Sequence, residues 1–120
     1  MKTILVVDDD TIQCHTIKAI LNSAGFQVCM AFDGKEGLAE FQKNHYDLII
    51  SDVIMPEMEG IEFISKIKNI NADIPIIIMS GNIVGINFLE IALKLGASAK
   101  IDKPVNKDLL ISLVNKHLGL

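Results

Sequence analysis

The sequence contains no arginine, so its eleven lysine or arginine residues are all lysines. Bidentate recognition of phosphate or guanine by a guanidinium group is therefore excluded. The lysines form no basic run and the net charge is −4, so direct nucleic-acid binding is not expected. The chain also has no secretory signal and no apolar stretch of roughly 18 residues, the length that a membrane span needs. We expect a cytoplasmic protein that does not insert into membranes.

Cysteine and histidine are scarce and lack the spacing of metal ligands. The two cysteines, Cys14 and Cys29, are 15 positions apart, and we interpret them as reduced, partly buried thiols. The three histidines, His15, His45 and His117, are expected at the surface or partly packed.

No linker, repeat or low-complexity segment divides the 120 residues, so we expect a single domain spanning 1–120. Apolar β-branched runs alternate five times with amphipathic helical patterns. The predicted strands cover 4–7, 28–31, 48–51, 76–79 and 99–102. This alternation predicts an α/β fold, a parallel sheet with helices on both faces, but it leaves the strand order open.

Capping residues and apolar spacing locate the five predicted helices. Asp10 or Thr11 is expected to cap the first helix, Asp33 the second and Asn106 the fifth. The residues predicted to face inward are Ile17, Ile20, Leu21 and Ala24, then Leu38 and Phe41, then Phe63, Ile64, Ile67 and Ile70, then Phe88, Ile91, Ala92 and Leu95, and finally Leu110, Leu113 and Val114.

Four predicted strands are followed by polar residues that can do chemistry. Asp8 and Asp9 follow the first strand, Asp52 the third, Ser80 the fourth and Lys103 the fifth. Ligands of open α/β sheets bind at the carboxyl ends of the strands, so these side chains are expected to meet at one edge. Three carboxylates favour a hard cation such as Mg²⁺, and a carboxylate can accept a phosphoryl group. The alternative is that the acids cap helices and that Ser80 and Lys103 are ordinary loop residues.

The motifs carrying these residues resemble the receiver domain of two-component response regulators, from Ile4 to Leu118. They are Val7-Asp8-Asp9, Asp52 followed by Met55-Pro56 and Gly60, Met79-Ser80-Gly81, Gly96-Ala97 and Lys103-Pro104. The resemblance implies a flavodoxin-like (βα)5 three-layer sandwich with strand order 2-1-3-4-5. It also implies a phosphorelay protein with self-phosphorylation and autodephosphorylation, and no turnover of a separate substrate.

The resemblance also assigns roles to individual residues. Asp52 would accept the phosphoryl group from a histidine kinase or a histidine phosphotransfer protein. Mg²⁺, or Mn²⁺ or Ca²⁺ in its place, would be bound by Asp8, Asp9, Asp52 and the backbone carbonyl of Ile54. Ser80 would be the switch hydroxyl, and Lys103 would contact the phosphoryl group.

Four further positions are expected to tune the switch. Lys100 stands where the family usually has an aromatic residue, which puts the usual coupling of that ring to the switch hydroxyl in question. The resemblance implies that Ile54 and Asn82 occupy positions that influence attack by water on the phosphoryl group. The apolar Ile54 then predicts a longer-lived phosphate. A cis bond before Pro104 would direct the neighbouring lysine inward.

Two surfaces are expected to bind partners. The first is an apolar stripe of the fourth predicted helix, Ile86, Leu89 and Leu93, beside Lys100; part of it could instead be core. Together with the fifth strand and fifth helix, this face would bind a downstream protein, or an output domain absent from this chain, with the protein a monomer or weak dimer. The second surface, around Ile12, His15 and Thr16, would admit the phosphoryl donor.

Three other classes of protein are alternatives to a phosphorelay protein. A receiver-like protein-binding module that is not phosphorylated would be expected to lack Asp52 or Lys103, and both are present. An aspartate-nucleophile phosphatase would carry its acids on the first strand and would need a cap insertion. A flavin binder would need a phosphate-binding loop where Asp8, Asp9 and Asp10 lie.

Overall fold

The computed structural model describes residues 1–52, 60–80 and 93–120. Their elements, in chain order, are β1 (Thr3–Val7), α1 (Thr11–Ser23), β2 (Gln27–Ala31), α2 (Gly34–Lys43), β3 (Leu48–Asp52), α3 (Gly60–Ile70), β4 (Ile76–Ser80), β5 (Ala99–Asp102) and α4 (Lys107–Leu118). Helix α4 is the fifth predicted helix. Most of the fourth predicted helix, including Phe88, Ile91 and Ala92, lies outside the described residues.

The five strands form one parallel sheet with the order β2-β1-β3-β4-β5. This confirms the order implied by the resemblance. In the register of the central pair, Val7 lies beside Ser51, so β1 and β3 end next to each other. Asp8, just after β1, and Asp52, the last residue of β3, therefore emerge side by side at the carboxyl edge.

Hydrophobic cores cover both faces of the sheet because successive strand residues point to opposite sides. One core joins Leu5, Val7, Ile49, Ile76 and Ile78 to residues of α2 and α3. The other joins Ile4, Val6, Ile50, Ile77 and Met79 to residues of α1 and α4. Both faces of the central strands are thus apolar, which explains their continuous β-branched sequences.

The two free cysteines lie on different faces of this sheet. Cys14 belongs to the core under α1 and α4, and the half-buried Cys29 packs against the core under α2 and α3. A disulfide between them is incompatible with this fold, as the interpretation of two reduced thiols requires.

The predicted caps are confirmed at three helix starts. The side chains of Asp10, Asp33 and Asn106 accept hydrogen bonds from the backbone N–H groups three residues ahead, at 3.1, 2.7 and 2.9 Å. Each bond satisfies a donor that the helix itself leaves unpaired. Gly25 follows the C-cap of α1 with a φ of +95°, a conformation that favours glycine.

Three residues predicted to face inward do not. Ala24 is exposed, Ile70 is 51% exposed and Leu95 is 39% exposed. All three lie where a helix ends: Ala24 is the C-cap of α1, Ile70 is the last residue of α3, and Leu95 lies in a turn before Gly96. Apolar periodicity does not mark where a helix ends, so the inward assignment fails there.

Helix α2 approaches the sheet closely at Gly37. A Cβ atom added there would lie 2.9 Å from Cγ2 of Val7 in β1 and 3.1 Å from Cε1 of Phe63 in α3. Gly37 therefore allows α2 to pack directly over the end of β1, next to Asp8. Among the described residues, no helix is long and apolar enough to cross a membrane.

Candidate metal and phosphoryl site

Three carboxylates meet at the carboxyl edge of the sheet. Asp8, Asp9 and Asp52 each place an oxygen within 4.8 Å of the others. Asp8 is fully buried, Asp52 is half-buried and Asp9 is exposed. The structure thus brings together the three acids that the sequence analysis grouped, and the set is open to solvent on the Asp9 side.

The carboxylate of Asp8 is held in place by its own loop. The backbone N–H of Asp10 donates to its Oδ1 at 3.0 Å, and the backbone N–H of Asp8 donates to the Ala31 carbonyl at 3.1 Å. Burial raises the pKa of Asp8 from 3.8 to about 6, and the Asp52 charge adds to this, although the hydrogen bond from Asp10 and the charge of Lys103 oppose it. A buried anion of this kind calls for a cation nearby.

Lys103 places its ammonium between two of the acids. Its Nζ donates to Oδ2 of Asp8 at 3.2 Å and to Oδ2 of Asp52 at 3.0 Å. Burial by itself lowers the pKa of Lys103, but the contacts with Asp52 and Asp8 outweigh it and raise the pKa above its ordinary value. The Lys103–Pro104 peptide bond is cis. The ammonium therefore stays charged and faces the cluster.

The other predicted site residues are described only in part. Ser80 is the last residue of β4 and pairs in register with Asp102 of β5. The side chain of Ser80 lies outside the part of the chain that the structure describes. Ile54, Asn82, Ile86 and Leu89 also fall outside the described residues.

The described residues of the two predicted partner surfaces are exposed. The Lys100 side chain is 52% exposed, and its Nζ lies 4.0 Å from Oδ1 of Asp102. Leu93 is 41% exposed. Pro104 is exposed as well. On α1, Ile12 is 78% exposed, and His15 and Thr16 are also exposed.

Two residues next to the acids were not recognised from the sequence. The Cys14 thiol donates to the Asp8 carbonyl at 3.2 Å, and the Ser51 hydroxyl donates to the Asp52 carbonyl at 2.9 Å. Two features of the sequence could have pointed to them. Cys14 has the spacing of an inward-facing residue on the first helix, and Ser51 directly precedes Asp52.

The donor set fits a hard divalent cation. Clustered carboxylates, one of them fully buried, are the oxygen ligands that Mg²⁺ prefers, and the exposed Asp9 side leaves room for water and a phosphoryl oxygen. A carboxylate beside an ammonium is also a suitable acceptor for a phosphoryl group, since such transfer depends on positioning and charge neutralisation.

Comparison with known proteins places this site in a family. A family model described as the response regulator receiver domain matches residues 4–115. The chain belongs to this family. It is a receiver domain of two-component signalling, a regulatory class of protein. The resemblance noted in the sequence is thereby confirmed.

Individual relatives support the same assignment. The transcriptional regulatory protein ZraR of Salmonella typhimurium is 38% identical over 116 residues, which are 97% of this chain and 26% of ZraR. The chain thus spans about a quarter of the length of that relative. A sensor histidine kinase of Escherichia coli, RcsC, is 34% identical over 107 residues, 89% of this chain and 11% of its own length.

Solved receiver structures share the fold. The crystal structure of a CheY-like response regulator receiver domain protein from Methanospirillum hungatei superposes with a TM-score of 0.94 at 33% identity, covering 99% of this chain and 94% of that one. The fold of this receiver domain is therefore the CheY-like one.

Proposed function

We propose that this receiver domain accepts a phosphoryl group on Asp52 from a phosphohistidine of a histidine kinase or histidine phosphotransfer protein. The observation that carries the proposal is the ammonium of Lys103, which bridges Asp8 and Asp52 inside a cluster of three acids. The arrangement supplies a nucleophile, a charge-neutralising cation and ligands for a metal ion in one place.

Asp8, Asp9 and Asp52 would hold Mg²⁺, with the Ile54 carbonyl as a further ligand and with Mn²⁺ or Ca²⁺ as substitutes. When bound, the ion supplies positive charge opposite the oxygens of the phosphoryl group. The buried Asp8 is the anchor, because its carboxylate orientation is fixed by the Asp10 N–H. The exposed Asp9 completes the set from the solvent side.

In the transfer step, an Asp52 carboxylate oxygen attacks phosphorus as the phosphorus–nitrogen bond to the donor histidine breaks. The imidazole leaves with that bonding pair, and an acyl phosphate forms on Asp52. Lys103 would neutralise the charge on the phosphoryl oxygens with its ammonium group. Hydrolysis of the acyl phosphate by water releases inorganic phosphate and returns Asp52 to its carboxylate.

Phosphorylation would act on the rest of the domain by shifting a conformational equilibrium. We propose that Ser80 donates to the phosphoryl group and that the face containing Leu93, Lys100 and α4 binds the downstream protein or output domain. Lys100 is exposed, so we propose that this chain presents a cation to its partner at the position where the family usually has an aromatic ring.

The test is phosphorylation by a small donor. The protein is incubated with acetyl phosphate or phosphoramidate and Mg²⁺, and its intact mass is measured beside Asp52→Asn and the control Asp73→Asn, which alters an exposed acid away from the site. We expect a gain of one phosphoryl group in the wild type and in Asp73→Asn, and none in Asp52→Asn. No gain in the wild type would favour the alternative function, a protein-binding module that is not phosphorylated.

A further inference from the structure

Two buried side chains donate hydrogen bonds to the main chain of the acid cluster. The Cys14 thiol donates to the Asp8 carbonyl at 3.2 Å, and the Ser51 hydroxyl donates to the Asp52 carbonyl at 2.9 Å. Both donor residues are fully buried. Each bond therefore fixes the main chain of a residue whose own carboxylate belongs to the cluster.

The two donors belong to opposite faces of the sheet. Cys14 lies in the core under α1 and α4. Ser51 alternates with Ile50 along β3, which places it on the same face as Ile49, the face covered by α2 and α3. The two neighbouring strand ends are thus each held by a buried side chain, one on either face.

Such support matters because both acids lie where the regular strands stop. β1 ends at Val7, so Asp8 is already outside it, and Asp52 is the last residue of β3. The sheet constrains the peptide planes less at these points than in the strand interiors. The direction of a carbonyl and the direction of the attached carboxylate are linked through the same main chain, so a donor that fixes the first also restricts the second.

We propose that Cys14 and Ser51 are positioning residues that orient Asp8 and Asp52 for divalent cation binding. This inference rests on the proposed metal site and goes beyond it by naming two residues that would not touch the ion. Hydrogen-bonding partners behind metal ligands commonly contribute about 10- to 100-fold to metal affinity. Because Cys14 and Ser51 hold the main chain and not the ligating oxygens, we expect a smaller effect, about three- to tenfold each.

The test compares variants that remove the donor with variants that keep it. Cys14→Ala, Cys14→Val and Ser51→Ala lose the donor; at position 14, alanine is smaller than cysteine and valine is larger, so an effect shared by both does not come from side-chain size. Cys14→Ser replaces the thiol with a hydroxyl, and Ser51→Thr keeps the hydroxyl, so both variants keep a hydrogen-bond donor. The dissociation constant for Mg²⁺ is measured by titration calorimetry at pH 7.5, and the free energy of unfolding of each variant is measured in urea.

Two matched controls come from the same chain. The Ser23 hydroxyl donates to the Ile20 carbonyl at 2.6 Å near the end of α1, and Ser23 is exposed. Ser23→Ala therefore removes the same kind of bond away from the acids. Cys29→Ala removes the other thiol, which belongs to the opposite face.

We expect the donor-free variants to bind Mg²⁺ about three- to tenfold more weakly, the donor-retaining variants to stay within about twofold of the wild type, and both controls to match it. A purely structural role would lower the free energy of unfolding and leave the Mg²⁺ dissociation constant unchanged. That result, with a wild type that binds Mg²⁺, would overturn the positioning role alone. A wild type that binds no Mg²⁺ would contradict the proposed metal site and this inference together.

Discussion

At the scale of single residues, burial is the main cause of the raised pKa of Asp8. Its carboxylate is removed from water and lies in a cluster with two other acids, so burial raises its pKa to about 6. Lys103 offsets part of this cost by donating to it at 3.2 Å. In the absence of a metal ion, the charge on Asp8 is therefore unfavourable to folding.

The stability of the metal-free protein should show this cost. Because the folded pKa of Asp8 lies above its ordinary value of 3.8, the folded state binds the proton more tightly than the unfolded state. The contribution of Asp8 to stability is thus greatest below about pH 4, declines as pH rises to about 6 and stays lower above it. We expect Asp8→Asn to remove this decline and to raise the free energy of unfolding at pH 7.5 by about 1–3 kcal/mol.

Urea unfolding in EDTA between pH 4 and 7.5 measures that effect, with Asp73→Asn as the control. Asp73 is exposed and outside the cluster, so its change should leave the pH profile unaltered. An Asp8→Asn protein that is less stable than the wild type at pH 7.5 without metal would contradict the assignment of a destabilising buried charge.

At the scale of secondary-structure elements, the position of α2 depends on a residue without a side chain. Gly37 faces Val7 and Phe63 at distances that leave no space for a Cβ atom. Elsewhere in a helix, replacing glycine with alanine stabilises the protein because it lowers the entropy of the unfolded chain. Here the contact with β1 reverses the sign.

We predict that Gly37→Ala lowers the free energy of unfolding by about 1–3 kcal/mol, since an added methyl group forces α2 away from a packed core. Chemical denaturation measures the change. The control is Ala39→Gly at an exposed position of the same helix, which should cost about 0.5–1 kcal/mol through helix propensity alone. A Gly37→Ala protein more stable than the wild type would show that α2 does not press on β1.

At the scale of the whole molecule, metal binding and folding should be linked. A ligand that binds only the folded state stabilises it by an amount set by the ligand concentration, about 2.7 kcal/mol at one hundred times the dissociation constant. We expect Mg²⁺ to raise the unfolding midpoint of the wild type in urea in this way. Asp8→Asn should respond much less, because it lacks the buried ligand.

Calcium-free and magnesium-free buffers with added NaCl at equal ionic strength provide the control for this linkage. Screening by salt would affect the wild type and Asp8→Asn alike. An equal response of the two proteins to Mg²⁺ would exclude Asp8 as a principal metal ligand.

The sequence predicted most of the fold because local signals and tertiary structure agree in this chain. Continuous β-branched runs became the central strands, and three capping residues began helices as expected. The failures fall at helix ends, where Ile70 and Leu95 continue an apolar pattern but are exposed. Periodicity within one segment carries no information about where its neighbour stops.

For the site as well, the sequence predicted what depends on strand order and missed what depends on packing between elements. Asp8, Asp9, Asp52 and Lys103 could be grouped because strand ends meet at one edge of a parallel sheet. The hydrogen bond from Cys14 to the Asp8 carbonyl could not be predicted from the positions of the strand ends. It depends on the angle at which α1 crosses the sheet, a property of packing between elements. Roles that depend on such angles require the three-dimensional structure.

The central claim is that Asp52 accepts the phosphoryl group, and mapping the modified residue tests it most directly. Protein treated with acetyl phosphate and Mg²⁺ is reduced with borohydride, which converts a phosphorylated aspartate to homoserine, and its peptides are sequenced by tandem mass spectrometry. We predict homoserine at position 52 and at no other aspartate. Homoserine at position 8 or 9, or its absence from a protein that binds Mg²⁺, would contradict the account.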